Sequence, residues 1–244
     1  MALLATEDVI VRFGGLRALS EASIDVDPGR VTGLIGPNGA GKTTLFNVIT
    51  GLQDPDGGRV VLDGVNITRY SPFRRARMGI SRTFQKLEAF TSLSARDNVL
   101  VAAEQRKAWD RSSFSPAAVA DELLERVGIV DVAHYMVGTL PTGTARLVEL
   151  ARALALNPRV LLLDEPSSGL NEQETAAMAD LLLRLVADGL AVLLVEHDMS
   201  LVMGTCETIY VLEFGQMIAV GTPDEVQARK AVQAAYLGSA AVGA

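Results

Sequence analysis

The octet Gly36-Pro37-Asn38-Gly39-Ala40-Gly41-Lys42-Thr43 constrains the fold of this chain more than any other feature. It matches the pattern G-x-x-x-x-G-K-[ST], in which glycines let the backbone curl so that several N–H groups point inward at phosphate oxygens. Such a loop needs a strand before it and a helix after it, because the helix N-terminus adds its positive dipole end to the cradle. Val31 to Ile35 is a compact apolar run of strand length, and Lys42 to Thr50 reads as a helix that stops at Gly51. Lys42 supplies a point charge, and the Thr43 hydroxyl can ligate Mg2+. The motif predicts a nucleotide site.

The rest of the chain alternates between short β-rich runs and helical periodicity. Val9 to Val11 and Ala22 to Val26 read as strands around the turn signal Gly14-Gly15, and Arg59 to Leu62 as a hairpin strand between Asp56-Gly57-Gly58 and Asp63-Gly64. Further strands are expected at Val160 to Leu163, Ala191 to Val195, Thr208 to Leu212 and Met217 to Val220. Helices are expected at Ala145 to Leu156 and Gln173 to Ala187. Short, fully apolar strands between helices point to a buried parallel sheet. From Leu87 to Gly138 strand-like runs disappear, and Asp97 to Lys107 and Pro116 to Val127 carry helical spacing, with Ser115 as N-cap and Pro116 at the first helical position. The layout is an α/β core with a helical insertion and no internal repeat.

A nucleotide-hydrolysing site also needs an acidic residue at a strand end. Val160 to Leu163 runs into Asp164-Glu165, where Asp164 would hold a Mg2+-bound water and Glu165 would polarise the attacking water. Gln85 and His197 each follow an apolar run, and taken alone each is weak evidence of chemistry.

Composition narrows the partners. The 244 residues carry a formal net charge of −7, which argues against nucleic acid as a partner. One cysteine, Cys206, excludes an internal disulfide framework, and two histidines are too few for a His-rich metal site. The N-terminus lacks a basic region and apolar core of signal-peptide type, and the longest apolar runs are about strand length. A soluble, intracellular chain that spans no membrane is expected, with a frayed tail from Ser239 to Ala244.

With these residues in order, the sequence resembles the nucleotide-binding subunits of ABC transporters over nearly its whole length. The resemblance rests on the P-loop, Thr83-Phe84-Gln85 as Q-loop, Leu161 to Pro166 as Walker B with its Glu, Ser168-Gly169-Leu170-Asn171 as D-loop and Glu196-His197-Asp198 as H-loop. It implies a RecA-like P-loop NTPase core with an N-terminal antiparallel β subdomain, built from residues 1–86 and 140–244, and an inserted α-helical subdomain at 87–139 that meets the membrane partner. It implies ATP and Mg2+ as cofactors. Phe13 would stack on adenine, Asn38, Gly39, Gly41, Lys42, Thr43 and Thr44 would bind the phosphates, and Thr43, Gln85 and Asp164 would face the metal. Glu165, Gln85 and His197 would be catalytic, with His197 at the γ-phosphate.

Within that family the chain is most similar to the Liv-type ATPases of branched-chain amino acid importers. The residues that carry this are Arg12 to Leu16, Thr44 to Gly51, Arg77 to Gln85, Glu196 to Met199 with Leu201 to Met203, and Ala235 to Gly238. Lipopolysaccharide-export ATPases are similar but usually lack the Arg-Thr-Phe and Glu-His-Asp-Met elements. The implied partners are transmembrane permease subunits, a second ABC ATPase and, indirectly, a solute-binding protein, at the cytoplasmic face of the membrane.

Two positions depart from the family. Where the signature Leu-Ser-Gly-Gly-Gln is expected, the chain reads Leu140-Pro141-Thr142-Gly143-Thr144, and Pro141 removes both a hydroxyl and a backbone donor. Gly143 would still let the backbone approach the opposite subunit's nucleotide in trans, and Thr142 or Thr144 could replace the hydroxyl. Asn171 stands where the D-loop often has Asp. An intact P-loop side beside an altered signature side suggests one half of a heterodimer, with a homodimer or a low-turnover regulatory subunit as alternatives.

Overall fold

The computed structural model describes residues 2–230 and 232, so the expected tail and the Ala235 to Gly238 element lie outside the described residues. Strands β1 (Leu4–Phe13) and β2 (Leu16–Val26) form an antiparallel hairpin around Gly14-Gly15. On its other side β1 pairs with β4 (Gly57–Leu62), which turns into β5 (Val65–Asn66), giving the sheet order β2-β1-β4-β5. Asp63 and Gly64 form that turn with φ of 52° and 74°, as a two-residue hairpin loop requires. β1 and β2 are longer than the apolar alternation indicates. Register shifts next to Asp8, and positive φ at Asp8 and Glu21, interrupt the period of two.

The second sheet contains β3 (Val31–Ile35), β6 (Ile80–Arg82), β7 (Val160–Asp164), β8 (Ala191–Val195), β9 (Thr208–Glu213) and β10 (Gln216–Gly221) in the order β10-β9-β3-β8-β7-β6. All neighbours are parallel except the edge pair β9–β10. β3, β7 and β8 are buried along their whole length, as strands covered on both faces must be.

Alternate residues of β7 enter different apolar clusters. Val160 and Leu162 pack with α1 (Lys42–Thr50) and the four-stranded sheet. Leu161 and Leu163 pack with α3 (Ala95–Lys107), α4 (Pro116–Arg126), α5 (Thr142–Ala155) and α6 (Glu172–Ala187). The result is three layers, and the inserted helices α3 and α4 share one core with α5 and α6. The Ser115 side chain caps α4 as the sequence indicates. No helix among the described residues is long and apolar enough to cross a membrane.

The helix after the P-loop is held from behind by a residue that the sequence does not advertise. Arg75, on the short α2 (Pro72–Arg77), is 1% exposed. Its guanidinium donates to Val48 O at 2.5 Å, Ile49 O at 2.8 Å, Thr68 O at 2.7 Å and Tyr70 O at 2.9 Å. Two of these carbonyls belong to the last turn of α1, where intrahelical donors run out and Gly51 N–H reaches only as far as Val48 O, at 3.2 Å. Arg75→Ala strands several buried acceptors, and we expect a loss of about 3 kcal/mol in urea unfolding.

Candidate functional site

The parallel register brings three strand ends together. Leu34 and Asp164 both pair with Val195, from opposite sides, so the loops after β3, β7 and β8 open on the same edge of the sheet. Those loops carry the P-loop, Asp164-Glu165 and Glu196-His197.

Two P-loop glycines are forced by close backbone approach. A Cβ on Gly36 (φ 155°) would stand 2.0 Å from Leu212 O, and one on Gly41 (φ 109°) 2.7 Å from Ala18 O. The loop is thus pressed against β9 and β2, while Asn38 and Gly39 remain exposed. Lys42 is buried and donates to Gly36 O at 2.5 Å and Pro37 O at 3.1 Å. Burial lowers its pKa, and the carboxylates of Glu165 and Asp164 pull it back up. Two neutral carbonyls are modest partners for an ammonium, which suits a group that exchanges them for phosphate.

Helix caps set two helix starts apart. Helices α2, α3, α4, α6, α7 (Met199–Thr205) and α8 (Pro223–Gln227) all start with a side-chain cap, from Ser71, Ser94, Ser115, Asn171, Asp198 and Thr222. Only α1 and α5 among the described residues lack one. Their first N–H groups have no side-chain acceptor and are available to an anion. α5 starts at Thr142, so the altered segment 142–144 forms its first turn.

Glu165, Gln85 and His197 meet. Glu165 accepts from Gln85 Nε2 through Oε2, and its Oε1 lies against His197 Nε2, each at 2.9 Å. Its φ is 50°, uncommon for a residue with a side chain, and its N–H is fixed by Val195 O at 2.8 Å. Glu196, the first residue of the H-loop element, is 2% exposed and accepts from the N–H groups of Ser167 at 2.7 Å and His197 at 3.0 Å, tying the loops after β7 and β8 together.

Asp164 has a partner that the motif does not announce. Arg82 Nη2 donates to Asp164 Oδ2 at 2.7 Å, with both side chains almost wholly buried, and Arg82 Nη1 donates to Asn47 Oδ1 on α1 at 2.6 Å. The rings of Phe84 and Phe46 lie 4.8 Å and 5.2 Å from the guanidinium carbon. Arg82 therefore links β6, β7 and the P-loop helix. With Oδ2 engaged, water or metal binding at Asp164 would fall to Oδ1.

The donor set fits Mg2+ and a nucleotide phosphate. Thr43 is exposed at the start of α1, the amide nitrogen of Gln85 is taken by Glu165 so that its oxygen remains, and Asp164 supplies one carboxylate. No group of three or more His, Cys, Asp or Glu that could hold a metal occurs among the described residues. A single carboxylate with a hydroxyl and substrate phosphates is how Mg2+ is commonly held. There the ion would neutralise charge on the phosphates.

Phe13 is 52% exposed at the tip of the β1–β2 hairpin, open to an aromatic ligand. Gly143 is buried instead, where a Cβ would stand 2.7 Å from Glu174 Oε1 and 3.0 Å from Leu170 Cδ2. The absent side chain there serves packing against the start of α6 within this chain. Thr142 is exposed and Thr144 half-buried.

Comparison with known proteins gives the family and the fold. The family profile described as ABC transporter matches residues 19–168, and one described as branched-chain amino acid ATP-binding cassette transporter matches residues 216–242. The high-affinity branched-chain amino acid transport ATP-binding protein BraF of Pseudomonas aeruginosa is 38% identical over 251 aligned positions that cover 98% of each chain. The lipopolysaccharide export system ATP-binding protein LptB of Haemophilus influenzae is 34% identical, again over 98% of each chain. A crystal structure of a nucleotide-free ATP-binding cassette from an ABC transporter superposes with a TM-score of 0.88 at 32% identity, covering 97% of this chain and 99% of that one.

Proposed function

The chain belongs to the ATP-binding subunits of ABC transporters, related to the Liv-type ATPases, and on that premise we propose that it hydrolyses Mg-ATP to drive uptake of branched-chain amino acids or a related small solute through partner permeases. The observation that carries the hydrolytic part is Glu165 held between Gln85 and His197, beside a buried Lys42. Lys42 and the loop N–H groups bind the phosphates. Glu165 takes the proton of a water that attacks the γ-phosphorus as the bond to ADP breaks, and His197 steadies both. The closed assembly binds ATP more tightly than the open one, and this difference moves the permease.

The profile match over residues 216–242 and the Arg82-Thr83-Phe84 and Glu196 to Met199 elements support the amino acid import reading. The chain works at the cytoplasmic face of the membrane, peripherally, and a solute-binding protein selects the cargo. Pro141 removes a donor from the segment that would face the opposite nucleotide, so a second ATPase with its own signature segment completes the site on Lys42. The uncapped N-terminus of α5 still offers its dipole.

Uptake of labelled leucine, isoleucine and valine in the source organism tests the proposal. Deleting the gene should abolish high-affinity uptake, the wild-type chain should restore it, and Lys42→Ala should not. Unchanged uptake together with loss of surface lipopolysaccharide would favour the export reading instead.

A further inference from the structure

Residues 84–88 form an irregular segment, yet one face of α5 holds its backbone at four points. Arg146 donates through Nη1 to Phe84 O at 2.9 Å and through Nη2 to Gln85 O. Glu149 accepts from the Glu88 N–H, and Arg152 Nη1 donates to Glu88 O at 2.7 Å. Arg146 and Glu149 are themselves paired at 3.1 Å and nearly buried. The three residues are spaced i, i+3, i+6 and make one stripe on the helix. Arg146 Nε is buried with no hydrogen-bond partner, and burial pushes the Glu149 carboxyl above the usual range despite its donors. A buried, partly unsatisfied ion pair is poor value as a stabiliser, and here it serves to grip loop carbonyls.

The gripped segment ends at the reaction site. Gln85 lies within it, and its amide contacts Glu165. The other end of α5 is the 140–144 segment, which begins the helix. We propose that Arg146, Glu149 and Arg152 are positioning residues that bind Gln85 to α5, so that the place of this helix sets the Gln85–Glu165 contact. Engagement of segment 140–144 by the second subunit's nucleotide is thereby transmitted, inside one chain, to that chain's own Glu165. This rests on the hydrolytic reading of Glu165 given above.

Amide hydrogen exchange on the purified chain tests the grip without any turnover. Arg146→Ala should speed exchange at the Glu88 amide, the hydrogen-bonded N–H of the segment, by about tenfold or more, while Val160–Asp164 stays protected. Should Arg146→Ala fail to fold, Arg146→Lys and Glu149→Ala carry the same test. With the second ATPase present, Arg146→Ala should lower kcat about tenfold and leave ATP affinity within about twofold. Gln85→Ala should then add almost nothing in the Arg146→Ala background. Unaltered exchange at the Glu88 amide, or fully additive losses in kcat, would overturn the proposal. Absence of turnover in the wild-type pair would overturn the hydrolytic reading instead, and the exchange result would still decide the grip.

Discussion

Glu165→Gln will stop ATP turnover and leave ATP binding in place. In the structure Glu165 Oε2 accepts from Gln85 Nε2 and Oε1 lies against His197 Nε2, each at 2.9 Å. A glutamine of the same shape offers one oxygen and one amide, and no group remains to take the water's proton. Loss of a positioned general base costs about 10²- to 10⁴-fold in rate. Lys42 and the P-loop are untouched, so affinity for Mg-ATP should stay within about threefold. An ATP-bound dimer should accumulate, visible by gel filtration with the second ATPase. A variant keeping more than about a tenth of the wild-type rate would show that Glu165 is not the base.

Arg82→Met should cause the largest loss of stability of any single change at the site. Arg82 and Asp164 have side chains 6% and 4% exposed and are joined at 2.7 Å. Removing one member leaves a buried carboxylate without its counter-ion and leaves Asn47 Oδ1 without its donor. Breaking such a pair costs about 3–5 kcal/mol. The comparison is Arg159–Asp63, a pair at 2.8 Å with both side chains about half exposed, where Arg159→Met should cost under about 1 kcal/mol. Urea unfolding of the two variants measures the difference. Adding Asp164→Asn to Arg82→Met should recover part of the loss by removing the orphaned charge. Equal, small losses would mean that solvent reaches the Arg82–Asp164 pair and that it does not link the sheet to α1.

The elements legible in the sequence are those whose signal is local. The P-loop is a contiguous motif. β3, β8 and α1 occupy the spans their apolar runs indicate, because strands buried on both faces carry no ambiguous alternation. The Ser115-Pro116 start of α4 is legible for the same reason. Ser71-Pro72 and Thr222-Pro223 carry the same cap signal, but α2 and α8 are too short to show a helical period behind it. α5 starts three residues before its apolar periodicity, because Thr142-Gly143-Thr144 adds no apolar residue to the stripe.

The site divides along the same line. Lys42, Asp164, Glu165, Gln85 and His197 are each flagged by a motif or a strand end, and the parallel register assembles them. Arg82 stands between Ser81 and Thr83 with no local mark of its partners, Asn47 and Asp164, which are distant in the chain. The stripe Arg146, Glu149, Arg152 is visible as helical spacing, but its target at residues 84–88 is not. Gly143 fits the family motif, while the structure adds a packing requirement against Glu174 that only the tertiary fold reveals.

The proposed function stands on hydrolysis of Mg-ATP at the site built on Lys42, opposite a second ATPase. Phosphate release by the purified chain, alone and with that second subunit, tests it most directly when Lys42→Ala serves as the blank. The expected results are ATP binding by the chain alone, little release until the second subunit is added, and no release in either case with Lys42→Ala. Release that survives Lys42→Ala would contradict it, and strong, concentration-dependent release from the chain alone would contradict the heterodimer.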